Sequence, residues 1–121
     1  MHDLLSQRRV LVVEDEMLVL IMIEDMLADL GCKSIATAAT VAKALALIES
    51  ETFDLAMLDM NLKGAKTFAV ADALVARDIP FCFSTGYSGT DVRGDYANFP
   101  VLKKPYRDGE MAKMLSQLLD R

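Results

Sequence analysis

One histidine, two cysteines, three prolines, six glycines and no tryptophan occur in this 121-residue chain. The histidine is His2, close to the first residue, which excludes mechanisms that need an internal imidazole base, an imidazole metal ligand or a Ser-His pair. Cys32 and Cys82 stand far apart in apolar surroundings and form no CxxC pair, so neither a disulfide framework nor a zinc site is indicated. Both are expected to be buried thiols in a reducing compartment. Basic charge is also in deficit: 13 Lys and Arg against 18 Asp and Glu leave a net charge of -5, the wrong sign for a protein that grips a phosphate backbone. Direct nucleic-acid binding is therefore not expected. The longest apolar run, Met17 to Ile23, is far shorter than the roughly 20 residues a membrane helix needs, and it lies behind a strand-like segment. Neither a membrane span nor a signal peptide is expected, and the protein is placed in the cytoplasm.

What remains is ample for a core. Hydrophobic residues make up 53% of the chain and charged ones 26%, the composition of one compact domain. Short β-rich runs alternate with helical patterns, the signature of βαβ units around a parallel sheet. The strand candidates are Arg9 to Val13, Ser34 to Ala38, Phe53 to Leu58, Pro80 to Ser84 and Phe99 to Lys103. Several are apolar at consecutive positions, as strands covered on both faces must be. A first helix is expected to carry the run Met17 to Ile23. Thr40 is a cap for a second helix with Val41, Ala44, Leu45 and Ile48 on one stripe. Gly64 opens a third, with Phe68, Ala71, Leu74 and Val75, which Asp78 to Pro80 ends. Ser88 to Tyr96 is a short, polar fourth. Met111, Met114, Leu115, Leu118 and Leu119 keep helical period in a fifth, behind Pro105 and an Asp108 cap.

Ligands of an open α/β sheet bind outside the carboxyl ends of its strands. At those ends stand Glu14, Asp15 and Glu16, then Asp59, then Ser84 and Thr85, then Lys103 and Lys104. A polar residue at one strand end needs no function, but acids, a hydroxyl and an ammonium at one edge are poorly explained that way. Three converging carboxylates repel unless a cation sits among them, and oxygen-only ligands favour a hard ion such as Mg²⁺. Asp59, between Leu58 and Met60 at the tip of a buried strand, is the candidate nucleophile. Thr85 and one of the two lysines are suited to the extra oxygens of a phosphoryl group on it. These residues thus point to phosphorylation of an aspartate.

VLVVEDE, LDMNLKG, FSTGYS and LKKPY resemble, in order and spacing, the motifs of the bacterial response-regulator receiver domain, from residue 9 to about 120. The resemblance implies a flavodoxin-like (βα)5 fold, a doubly wound five-stranded parallel sheet of strand order 2-1-3-4-5, with residues 1–8 as an N-terminal extension and 9–121 as the domain. It implies Asp59 as phosphoacceptor, Asp15 as direct Mg²⁺ ligand, Glu14 as outer acid, the carbonyl of Asn61 as a further ligand and Thr85 as switch hydroxyl. Lys104, directly before Pro105, becomes the phosphate-binding lysine, and the Lys104-Pro105 bond is expected to be cis. Strand alternation also separates Lys104 from Lys103. The donor is then a phosphohistidine on a sensor histidine kinase or histidine phosphotransfer protein, or a small acyl phosphate. Slow self-dephosphorylation follows, with Asn61 and Tyr87 tuning the lifetime and Gly86 leaving room for the donor.

FSTGYS is similar to a subgroup with an F-A-T-G motif whose members often stand alone. Glu14 stands where many receivers have Asp, Lys63-Gly64 where many have Pro-Gly, and Val101 where the usual switch aromatic stands. The signal is therefore expected to travel through Gly86 to Tyr96. Because an apolar run of this length covers every side of a helix, Leu20 and Ile21 are expected to form a partner surface for the kinase or for a second receiver chain in a phosphorylation-dependent dimer. A haloacid-dehalogenase-like phosphatase is the rival reading, but its second Asp is replaced here by Asn61 and its nucleophile belongs near the first strand. A nucleotide-binding module would need a glycine-rich phosphate loop after the first strand, which is missing.

Overall fold

The computed structural model describes residues 4–62, 65–85, 99–104, 106 and 109–120. In chain order they form β1 (Arg9–Val13), α1 (Met17–Asp29), β2 (Ser34–Ala38), α2 (Val41–Ser50), β3 (Leu55–Asp59), β4 (Asn61–Leu62), β5 (Ala65–Lys66), α3 (Phe68–Ala76), β6 (Phe81–Thr85), β7 (Val101–Lys103) and α4 (Glu110–Leu119). Five strands make one sheet in the order β2-β1-β3-β6-β7, every pair parallel. Numbered among themselves, these are strands 2-1-3-4-5, the expected order. The chain steps outward from β1 to β2 and then crosses back to β3. The switch in direction thus falls between the carboxyl ends of β1 and β3, where such sheets open a crevice.

The core has two halves because successive strand residues face opposite sides. Val10, Val12, Leu55, Met57, Cys82 and Leu102 pack with Ile23 and Leu27 of α1 and Met111, Leu115 and Leu118 of α4. Leu11, Val13, Ala56, Leu58, Phe81 and Phe83 pack with Ala44 and Ile48 of α2 and Val70, Ala71 and Leu74 of α3. Edge-to-face contacts of Phe83 with Phe81 (5.5 Å) and Phe68 (6.2 Å) fill the second half. Leu5, ahead of β1, is fully buried in the first half, and its N–H donates to the Leu30 carbonyl at 2.9 Å.

Several element ends depart from the sequence expectation. β3 starts at Leu55, not Phe53, because Asp54 is committed to Arg9: its carboxylate accepts the Arg9 N–H at 2.7 Å and its own N–H donates to the Arg9 carbonyl at 2.8 Å. Phe53 is buried before the strand, beneath the Arg9 guanidinium. Thr40 caps α2 as expected, its hydroxyl accepting the Lys43 N–H at 3.1 Å. α3 begins at Phe68, not Gly64, since β4 and β5 pair first as a small antiparallel ribbon, Asn61 with Lys66 and Leu62 with Ala65. At the start of α4 the cap is Gly109, in a left-handed conformation (φ 83°). Asp108 lies outside the described residues, as do the expected fourth helix at 88–96 and Pro105.

Candidate phosphoacceptor site

β1 and β3 are neighbours in register, Val13 beside Leu58, so the residues that follow, Glu14 and Asp59, are delivered to one edge. Both continue the row of Val10, Val12, Leu55 and Met57, which faces α1 and α4. Carboxylate oxygens of Glu14, Asp15 and Asp59 all lie within 4.8 Å of one another. Glu14 is 1% and Asp59 8% exposed, while Asp15 is half-buried. Charges so withdrawn from water repel strongly unless compensated.

Lys104 supplies the compensation. Its Nζ donates to Glu14 Oε1 at 2.8 Å and to Asp59 Oδ2 at 3.4 Å. Burial acts to lower the lysine pKa, but the Glu14 hydrogen bond and the charges of Asp59 and Glu14 outweigh it, so the ammonium is held above its ordinary value. Lys103, one residue earlier, is exposed. The main chain is fixed as well: the Thr67 hydroxyl donates to the Asp59 carbonyl at 2.6 Å, and the Glu16 N–H donates to Glu14 Oε2 at 3.1 Å. Thr85 ends β6 with 2% exposure, and its carbonyl accepts the Lys104 N–H at 2.8 Å.

Glu14, Asp15, Asp59, Thr85 and Lys104 are thus gathered at one edge. The Asn61 backbone follows Asp59 by two residues, at the start of β4. Gly86 and Tyr87 lie outside the described residues. Ile21 is 47% exposed on α1 together with Met17, Leu18 and Met22, whereas Leu20 is half-buried against the α1/α4 half of the core. One contact of the edge, between Ser84 and Tyr106, has no signal in the sequence, although the two residues stand in FSTGYS and LKKPY. Ser84, at the alanine of F-A-T-G, hydrogen-bonds through its hydroxyl to that of Tyr106. A hydroxyl pair 22 residues apart has no periodicity to betray it. A groove of 440 Å³ lies at the opposite end of the sheet, lined by Arg8, Asp54, Phe81, Phe99 and Leu118 among others, and shares no residue with this site.

The donor set fits a small hard cation. Three carboxylates offer only oxygen, and opposite ligands of an octahedral Mg²⁺ stand about 4 Å apart, a span that oxygens within 4.8 Å of one another can meet. Residues 10–116 match the family model of the response regulator receiver domain, and the chain belongs to that family. SdrG from Sphingomonas melonis Fr1 is 45% identical, with a TM-score of 0.84 over 94% of this chain and 98% of that one. The BeF3-activated conformation of SdrG gives 46% identity and a TM-score of 0.80, over 92% of this chain and 95% of that one. TrrA from Thermotoga maritima, solved in complex with Mg²⁺-BeF, is 26% identical, with a TM-score of 0.82 over 93% of this chain and all of that one. A search of curated protein sequences gave no significant match. The fold is the flavodoxin-like receiver fold, a signalling domain of two-component systems. No helix among the described residues is long and apolar enough to cross a membrane.

Proposed function

We propose that the chain is a cytoplasmic phosphoacceptor that takes a phosphoryl group onto Asp59 from a phosphohistidine of a sensor histidine kinase or histidine phosphotransfer protein. The observation that carries this reading is the contact of one ammonium, Lys104 Nζ, with both Glu14 and Asp59 in a cluster of three carboxylates. An Asp59 oxygen attacks phosphorus in line, the P–O bond forms as the P–N bond breaks, and the imidazole nitrogen keeps the electron pair and takes a proton. Lys104 neutralises the transferred oxygens and the Thr85 hydroxyl donates to one of them. Glu14, Asp15, Asp59 and the Asn61 carbonyl hold Mg²⁺, which when bound offsets the charge that otherwise keeps an anionic donor away. Water returns the aspartate slowly, under the control of Asn61 and Tyr87, with Gly86 leaving the donor room. The signal leaves through residues 86–96 to a partner that prefers the phosphorylated form.

The exposed side of α1 borders the acids and suits the apolar surface of a phosphodonor protein or of a second receiver chain. Incubation of the chain with Mg²⁺ and acetyl phosphate, followed by intact-mass measurement, tests the reading. A single adduct that hydroxylamine removes, and that chelator prevents, is expected. An unmodified mass under these conditions, or an adduct that survives hydroxylamine, overturns it.

A further inference from the structure

Tyr106 stands two residues beyond Lys104, half-buried against the α1/α4 half of the core. Its hydroxyl pairs with that of Ser84, which is 2% exposed and lies in register with Asp59 on the neighbouring strand. The β6-β7 ladder runs out at Thr85 beside Lys103, one residue before the functional lysine. From there two hydrogen bonds tie the following segment to β6: the Lys104 N–H to the Thr85 carbonyl at 2.8 Å, and Tyr106 to Ser84. Lysine is a point charge on a flexible four-carbon stem, so the place where its ammonium settles depends on where the stem is rooted.

We propose that Tyr106, through its hydrogen bond to Ser84, is a positioning residue that roots Lys104 so that its ammonium stands at Glu14 and Asp59. Ser84 sits one residue before Thr85, and Tyr106 two after Lys104, so one hydroxyl pair sets the spacing between the two groups that meet the phosphoryl oxygens. Burial pushes the phenol up to about 12, so it stays a neutral donor or acceptor under assay conditions. Nothing in this role needs the ring alone, and phenylalanine keeps the packing while deleting the bond.

The rate effect rests on the phosphoacceptor reading, and the experiment separates the two. Tyr106→Phe, Ser84→Ala and the pair together are labelled with acetyl phosphate and Mg²⁺ and followed by intact mass, alone and on a Lys104→Ala background. Each single variant should label roughly fivefold more slowly, the size of one lost hydrogen bond, and the double variant no more slowly than either. On the Lys104→Ala background Tyr106→Phe should change the rate less than twofold, because its effect passes through the lysine. Without metal or donor, NMR of the Lys104 side-chain methylenes should show a shift in Tyr106→Phe and the same shift in Ser84→Ala. Wild-type rates in both single variants, an undiminished loss on the Lys104→Ala background, or unmoved Lys104 signals would each overturn the proposal. If the wild type takes no label, the phosphoacceptor reading falls, and the Lys104 signals still decide the positioning role.

Discussion

Where the strands begin, Arg8 faces Asp54 and Arg9 meets Glu51, on side chains that remain between 33% and 46% exposed. Where they end, Glu14 and Asp59 are withdrawn to 1% and 8% exposure and share the ammonium of Lys104, with Asp15 beside them. Exposed pairs of the first kind are nearly neutral for stability, since water already solvates both partners. A buried cluster with more acids than described cations is a net cost, and a fold retains one where binding or chemistry requires it. The same sheet therefore carries a solvated, charge-balanced edge and a buried, acid-rich one, which the phosphoacceptor reading makes the reactive edge; the 440 Å³ groove opens at the first.

The severest test of this contrast is to remove one acid from each end. Asp59→Asn is expected to abolish the phosphoryl adduct completely. It should also raise the unfolding free energy by roughly 1–2 kcal/mol, because a charge leaves the crowded cluster while the Glu14–Lys104 pair stays. Asp54→Asn at the other end should label normally and lose at most about 1 kcal/mol. Intact mass and urea unfolding read both. A loss of stability in Asp59→Asn would mean that the cluster is a stabilising network.

Removing the cation comes next in size. Lys104→Ala leaves Glu14 buried without that partner and is expected to cost about 3 kcal/mol and to slow labelling roughly 100-fold. Lys103→Ala, one residue away on the exposed side, should stay within about twofold of wild type. The reverse ranking would detach the phosphate-binding role from Lys104.

Alkaline pH probes the buried groups. Cys82 is pushed up to about 12 by burial, as is Tyr106, and Lys104 is held above its ordinary value chiefly because Glu14 and Asp59 offset the opposing effect of burial. A group whose pKa is raised on folding gives its full stabilisation below the unfolded value and loses it as pH climbs toward the folded value. Stability should therefore hold from pH 7 to about 8.5 and then fall, with each group contributing at most about 1.4 kcal/mol per pH unit. Burial raises the Cys32 thiol as well, so Cys32→Ala and Cys82→Ala together should delay the onset of the fall. An onset unchanged in that double variant would assign the loss to Lys104 and Tyr106 instead.

The smallest effect is expected on the rim of the reactive edge. Ile21→Glu adds a charge to an exposed position, so stability should move by less than about 0.5 kcal/mol and labelling by acetyl phosphate should be unchanged. Phosphotransfer from a phosphohistidine protein should weaken. Equal loss in both assays would show damage to the core.

The periods of the strands and of α2 were legible because they are local: alternate residues of β1 and β3 sort onto two faces wherever the sheet lies, and Thr40 caps α2 with a bond three residues long. Element ends were less legible. Phe53 reads as strand by its own propensity, and only the bonds between Asp54 and Arg9, 45 residues apart, exclude it. Gly64 reads as a helix start, yet Asn61 and Leu62 turn back to pair with Lys66 and Ala65 before α3 begins.

The sequence by itself determined which chemistry is available here: acids, a hydroxyl and lysines at strand ends, no internal histidine, and an apolar pattern that allows a doubly wound sheet. These follow from residue type and short-range period, which need no partner from elsewhere in the chain. Only the tertiary structure decided that Glu14 and Lys104, 90 residues apart, touch at 2.8 Å, that Ser84 meets Tyr106, and that α1 leaves Leu18 83% exposed while burying Ile23. Such contacts are set by strand order and by which helix covers which face, and residue type and short-range period alone carry no information about either.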